Sequence, residues 1–164
     1  MTEIILRDAM PGDADRLTAL IRALAAHDGS SADVNFNSDQ LREALTGPAP
    51  RLRAILAVDG DEPVGFVTYT IDFAIWVASD VLRIDDLYLE TAYRGQGLGR
   101  RLMREIARRA LAGGMQVRWE VMPRNRNAQA FYHGLGAELR DKVIARWDSP
   151  AMAALLDTNS GEDT

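Results

Sequence analysis

Asp86-Leu87-Tyr88-Leu89-Glu90-Thr91-Ala92-Tyr93, then Arg94-Gly95-Gln96-Gly97-Leu98-Gly99, then Arg100-Arg101-Leu102 form the run around which the chain is built. It predicts a strand, a glycine-rich turn and a helix. A strand that passes through closely spaced glycines into a helix aims several unpaired backbone N–H groups at one point. The positive end of the helix dipole lies at the same point. Such a turn binds phosphate or pyrophosphate without needing any particular side chain.

Working outward, Leu98, Leu102, Ile106 and Ala110 repeat every four residues, and Met103, Ala107 and Leu111 widen that stripe into one apolar helix face closed by Gly113-Gly114. Upstream, Ala54–Val58 and Val64–Tyr69 flank the turn Asp59-Gly60-Asp61-Glu62 and read as an antiparallel hairpin. Ile71 to Ser79 has no clear period, so strand and loop both remain open there. Val81 to Leu89 is the strand that enters the glycine turn. Ile4 to Arg7 is a short first strand. Pro11, Asp13 and Asp15 suit a helix start, and Leu17, Leu20, Ile21 and Leu24 give that helix its apolar face up to His27, Asp28 and Gly29. Ser38 is the expected cap of a shorter helix carrying Leu41 and Leu45, which Gly47-Pro48-Ala49-Pro50 stops. Past the central helix, the sequence predicts a strand over Val117–Met122, a helix over Asn127–Leu135, a last strand over Val143–Trp147 and a helical turn over Pro150–Leu156. Asp157–Thr164 reads as a disordered tail. One mixed α/β domain over residues 1–156 accounts for the whole pattern.

The chain has 164 residues, enough to hide roughly 70% of its unfolded surface. It contains no cysteine, which removes disulfides, thiolate metal sites and a cysteine nucleophile; two histidines, His27 and His133, argue against a histidine metal centre. A net charge of −5 argues against nucleic acid as a partner. The amino terminus lacks the apolar run of a signal peptide, and no segment approaches membrane-spanning length. A cytoplasmic protein is expected, with no membrane and no metal.

Arg100 stands where a dinucleotide-binding G-x-G-x-x-G beginning at Gly95 needs its third glycine, and the Gly-Lys-Ser/Thr of a P-loop is missing. What remains is Arg-x-x-Gly-x-Gly, as Arg94, Gly97 and Gly99. A second signal follows in Asn125-Arg126-Asn127-Ala128-Gln129-Ala130-Phe131-Tyr132-His133-Gly134-Leu135-Gly136. Together the two resemble the GCN5-related N-acetyltransferases, and the strand order resembles that fold over nearly the whole chain. Gly65-Phe66, Ile84-Asp85-Asp86-Leu87-Tyr88-Leu89 and Arg118-Trp119-Glu120-Val121 resemble the diamine and thialysine branch. Two positions depart from it: Asp85 where a glutamate is common, and Arg124 where a tryptophan often precedes the motif asparagine.

The resemblance implies a single mixed, mostly antiparallel sheet with two splayed central parallel strands and flanking helices. It implies acetyl-coenzyme A as donor and the primary amine of a small molecule (polyamine, diamine or amino-acid-like) as acceptor. A protein N-terminus or lysine, and a coenzyme A-binding regulatory module without turnover, are the other readings. Residues Arg94, Gly95, Gln96, Gly97, Leu98, Gly99 and Arg100 would take the pyrophosphate, and Leu87, Tyr88 and Leu89 would pair with the pantetheine arm. Asn125, beside Ala128, would anchor that arm, cap the helix, or both. Tyr132 matches the family tyrosine that protonates the leaving sulfur; an ordinary pKa near ~10 keeps it protonated at pH 7. Asp85, through water, is the expected base, with Asp86 as the alternative because the family strand is bulged here. His27 and Trp76 would line the acceptor pocket with Asp85, and a homodimer is implied. With no cysteine and no serine beside a base, transfer is expected to be direct, in a ternary complex.

Overall fold

The computed structural model describes residues 3–158. These form two compact units that part between Pro123 and Arg124. The first unit holds one five-stranded sheet in the order β1 (Ile4–Asp8), β2 (Arg53–Asp59), β3 (Glu62–Ala74), β4 (Ser79–Leu89) and β5 (Gln116–Arg118). Every pairing is antiparallel except β4 with β5. The helices are α1 (Ala14–Asp28), α2 (Ser38–Ala44) and α3 (Leu98–Ala112), with α3 serving as the crossover between the parallel strands.

The three central strands, β2, β3 and β4, bury residues on both faces because helices cover both. On one face Ala54, Leu56, Val58, Phe66 and Tyr88 pack with Leu17 and Leu20 of α1 and Leu41 and Leu45 at α2. Leu98, Leu102, Met103, Ile106 and Ala110 of α3 are buried against the other. Ala107 and Leu111 do not join that stripe: both are exposed, Leu111 by 80%. They lie about 100° round the helix from its neighbours, outside the arc that one flat sheet can cover.

Local signals explain the boundaries. Gly29 ends α1 in the left-handed region at φ 74°, donating its N–H to Ala25 and Ala26. Asn37, rather than Ser38, caps α2: its side chain accepts from the Gln40 amide at 3.0 Å while Gln40 Oε1 accepts from the Asn37 amide at 2.9 Å. The reciprocal glutamine is what Ser38 lacks. The open question over Ile71–Ser79 resolves as strand up to Ala74, a four-residue turn, and strand again from Ser79.

Two expected strands change. Residues 119–122 leave the sheet, so β5 is three residues rather than six. The second unit contains α4 (Arg126–His133) and α5 (Ser149–Thr158) and no strand among its described residues. Val143–Trp147 is therefore irregular, with Val143 98% exposed. Its β-branched composition favours a strand, but within its own unit it has no ladder to join. Asp157 and Thr158 close α5; the remainder of the expected tail lies outside the described residues. No helix among the described residues is long and apolar enough to cross a membrane.

Candidate active site

Three features of the first unit converge at the C-terminal half of β4. The first is a parting of strands. The β4–β5 ladder runs over Val81, Leu82 and Arg83 and ends there, whereas β4 continues to Leu89 against β3 alone. Among the described residues no strand pairs with β4 from Ile84 onward on the side of its parallel neighbour. Leu87, Tyr88 and Leu89 end that stretch, paired on their other side with Val67, Phe66 and Gly65. Glycine is required at position 65: a Cβ there would stand 2.3 Å from Leu89 Cδ2 and 2.7 Å from the Tyr88 carbonyl oxygen.

The second feature is the glycine turn. Gly95 and Gly97 are both left-handed, at φ 75° and 79°, and Gly97 is the N-cap of α3. The first backbone bond of the helix is donated by Arg101 to the Gly97 carbonyl, so the amides of Leu98 and Gly99 come before it in the first turn. Space in front of both left-handed glycines is open, since a Cβ on either would meet nothing within 4 Å. Gln96 folds back onto the turn, donating Nε2 to the Ala92 carbonyl at 2.8 Å. Arg100 is exposed, and Arg101 is tied to the Ile4 carbonyl at 2.7 Å.

The third is a bulge. Tyr69 pairs with Ile84 and Val67 with Leu87, so Asp85 and Asp86 together face the single residue Thr68. Cross-strand partners share a face. Ile84 therefore lies with Tyr69 on the α3 side, which turns Asp85 to the α1 side. Tyr88 lies with Phe66 in the α1 core, which turns Asp86 to that side too. Strand alternation alone would separate the two carboxylates; the bulge sets them on one face. Both are held above the ordinary aspartate range. Asp85 is exposed on that face, and the main cause there is partial desolvation by the neighbouring chain, opposed by Arg83 and aided by Asp72; for half-buried Asp86 it is burial, then Asp85, then Asp28 at the end of α1.

Arg94 links the turn to this face. It donates Nε to the Leu89 carbonyl at 2.8 Å, lies 5.3 Å from the Tyr88 ring centroid, and brings Nη1 within 3.4 Å of His27 Nε2. The leading residue of the glycine motif is thus spent on the strand end and the end of α1. Nothing in the neighbouring residues signals that, because its partners are a carbonyl and an aromatic face. His27 is exposed and within reach of the same face. Trp76 is not: it stands at the β3–β4 turn, 99% exposed, beyond Phe73 and Ile75, which are also exposed.

In the second unit Asn125 caps α4, accepting the Ala128 amide at 3.1 Å through its side-chain oxygen, which leaves donor chemistry on its amide nitrogen. Tyr132 is half-buried on α4 with its ring 5.2 Å from that of Phe131. His133 is exposed, as its position after the tyrosine predicts.

The chain matches the Acetyltransferase (GNAT) family over residues 19–137. The chain belongs to this family. It is 30% identical to the thialysine N-epsilon-acetyltransferase of Bos taurus over 84% of this chain and 86% of that one. The Sus scrofa protein of the same name is also 30% identical, over 91% and 92%. Among solved structures, an integron cassette protein from the mobile metagenome of V. cholerae superposes with a TM-score of 0.76 at 24% identity, covering 95% of this chain and 99% of that one. The protein is an N-acetyltransferase of the thialysine and diamine branch.

For a GNAT enzyme the location of its other polar cluster is informative. On the α3 face, Arg109 donates to Glu105 (2.8 Å), Asp8 (2.5 Å) and the Tyr69 hydroxyl (2.8 Å), and Glu105 also accepts from Arg108 at 2.7 Å. Asp8, Tyr69 and Arg109 border a cavity of about 320 Å³ that also touches Leu45, Pro50 and Arg53. None of the residues expected to bind donor or acceptor lines it.

Proposed function

We propose that this N-acetyltransferase carries an acetyl group from acetyl-coenzyme A to the primary amine of a small molecule with an amino-acid-like or diamine skeleton. The observation that carries this reading is the bulge, which gathers Asp85 and Asp86 on one face beside the opening between β4 and β5. Two adjacent carboxylates, with Asp28 and Asp72 among the charges acting on them, suit a small cation with a second ammonium to hold. The relatives named for the N-epsilon of thialysine, an amine of that kind, support it.

The donor fits the residues present. The amides at the start of α3 and the open space before Gly95 and Gly97 suit a pyrophosphate, and the edge at Leu87–Leu89, unpaired among the described residues, suits the amide-rich pantetheine arm. Asn125 supplies a side-chain amide for the same arm. Asp85, whose raised affinity for a proton suits a base, takes a proton from the ammonium through water. The freed nitrogen attacks the thioester carbonyl, a C–N bond forms and the C–S bond breaks. Tyr132 protonates the departing sulfur. Of the two protons the amine loses, one is matched on the thiol of coenzyme A and the other leaves through Asp85. The same proposal takes residues 1–156 as one catalytic domain of a cytoplasmic homodimer, on the resemblance alone.

The test is a panel of acceptors: thialysine, ornithine, lysine and linear diamines against peptides with free N-termini and internal lysines, read by release of free coenzyme A. Turnover confined to the small amines supports the proposal. Turnover confined to peptides replaces the acceptor, and binding of acetyl-coenzyme A without turnover on either set replaces the enzyme with a regulatory module.

A further inference from the structure

Thr68 is one of two buried polar residues among the described ones, 2% exposed, on the α1 face of β3 between Phe66 and Thr70. The other, Thr18, has a hydroxyl without a hydrogen-bond partner. Thr68 is different. Its Oγ1 accepts the Asp86 amide at 3.1 Å and lies 3.5 Å from the Asp86 carbonyl oxygen. A bulge leaves its extra residue without a ladder partner, so an amide there is satisfied by a side chain or not at all. The residue that supplies this acceptor stands opposite the two carboxylates of the bulge.

We propose that Thr68 is a positioning residue for acetyl transfer: its hydroxyl holds the bulge that keeps Asp85 and Asp86 side by side on the acceptor face. This rests on the acceptor reading given above. Without the bulge, regular alternation from Ile84 would carry Asp86 to the α3 face and reverse Leu87, Tyr88 and Leu89. With the apolar residues pinned in their cores, the loss of Oγ1 shows itself in the least anchored members, the two aspartates. Their electrostatic setting comes from Asp28 on α1, Asp72 on β3 and Arg83 on β4, with His27 and Arg94 beyond Tyr88. A change in the bulge alters the distances to all of these at once.

Valine has the shape of threonine without the acceptor, and serine has the acceptor without the methyl. Thr68→Val and Thr68→Ser are compared with wild type on the acceptor that the panel selects. Thr68→Val is expected to lower kcat/KM for the amine at least about tenfold and to displace the alkaline-rising limb of the rate profile, while its affinity for acetyl-coenzyme A stays within about twofold. Thr68→Ser is expected to keep the wild-type profile. An unmoved profile in Thr68→Val, a matching loss of acetyl-coenzyme A affinity, or a serine variant as impaired as valine overturns the proposal. If Thr68→Val does not fold, hydrogen exchange at the Asp86 amide decides: protection in wild type that is kept in Thr68→Ser supports it, and exchange as fast as an open amide overturns it. A wild-type enzyme that acetylates no small amine defeats the acceptor reading separately, and the Asp86 amide still reports on the bulge.

Discussion

One residue apart on β3, Tyr69 and Thr68 face opposite sides of the sheet, and the carboxylates near them live under opposite rules. On the Tyr69 side, Glu105 is gripped by Arg108 and Arg109, and its carboxyl is pulled from 4.5 down to about 2. On the Thr68 side, Asp85 and Asp86 are crowded together by the bulge and pushed upward, chiefly by the loss of solvent around them. The first arrangement favours the charged form and fastens α3 to β1 and β3. The second disfavours it, which is the state a proton acceptor needs and a folded chain does not. Under the proposed mechanism, the difference separates function on one face from stability on the other.

The largest expected effect comes from attacking the functional end at its backbone. Gly97→Val forces a β-branched residue into φ 79° and places a side chain where the donor's phosphates would approach. Affinity for acetyl-coenzyme A, by calorimetry, should fall at least about 100-fold, with urea stability at pH 3 to 7 still tracking the Glu105 cluster. Wild-type affinity would remove the turn from the donor site. On the opposite face, Glu105→Gln should cost about 1–2 kcal/mol near neutral pH and leave kcat unchanged. The sign is fixed by the lowered carboxyl: this stability is complete above about 4.5 and is lost as pH falls toward about 2. The variant's deficit should therefore shrink in acid, and a deficit that stays constant with pH would show that the arginine pairing is not its source. The smallest effect is the inverse one. Asp86→Asn removes a carboxylate that the fold holds above its usual range, a cost present at high pH and relieved as pH falls through that raised value. Its melting midpoint at pH 8 should rise slightly over wild type, and a fall would place Asp86 in a stabilising contact.

How much of this the sequence revealed depends on whether the cause was local. The glycine turn, the four-residue ladder from Leu98 to Ala110 and the Asn125 cap are written in consecutive residues, and each was legible. The face of Asp86 was not, because alternation is broken by a residue on the neighbouring strand, and nothing in Ile84-Asp85-Asp86-Leu87 announces Thr68. Arg94 read as a phosphate ligand and is engaged with Leu89, Tyr88 and His27, partners brought near only by the fold. Val143–Trp147 had strand composition without a partner strand in its unit, and Trp76 was bulky and apolar yet fell at a hairpin turn. Propensity names what a segment can do; pairing decides what it does.

Whether Asp85 takes the proton is decided by the pH dependence of kcat/KM for the selected amine, measured for wild type and Asp85→Asn across the range where the ammonium must be deprotonated. The asparagine variant should lose rate, and its alkaline-rising limb should move to higher pH, because the amine must then shed its proton without the carboxylate. A variant whose limb and rate coincide with wild type would contradict that role for Asp85.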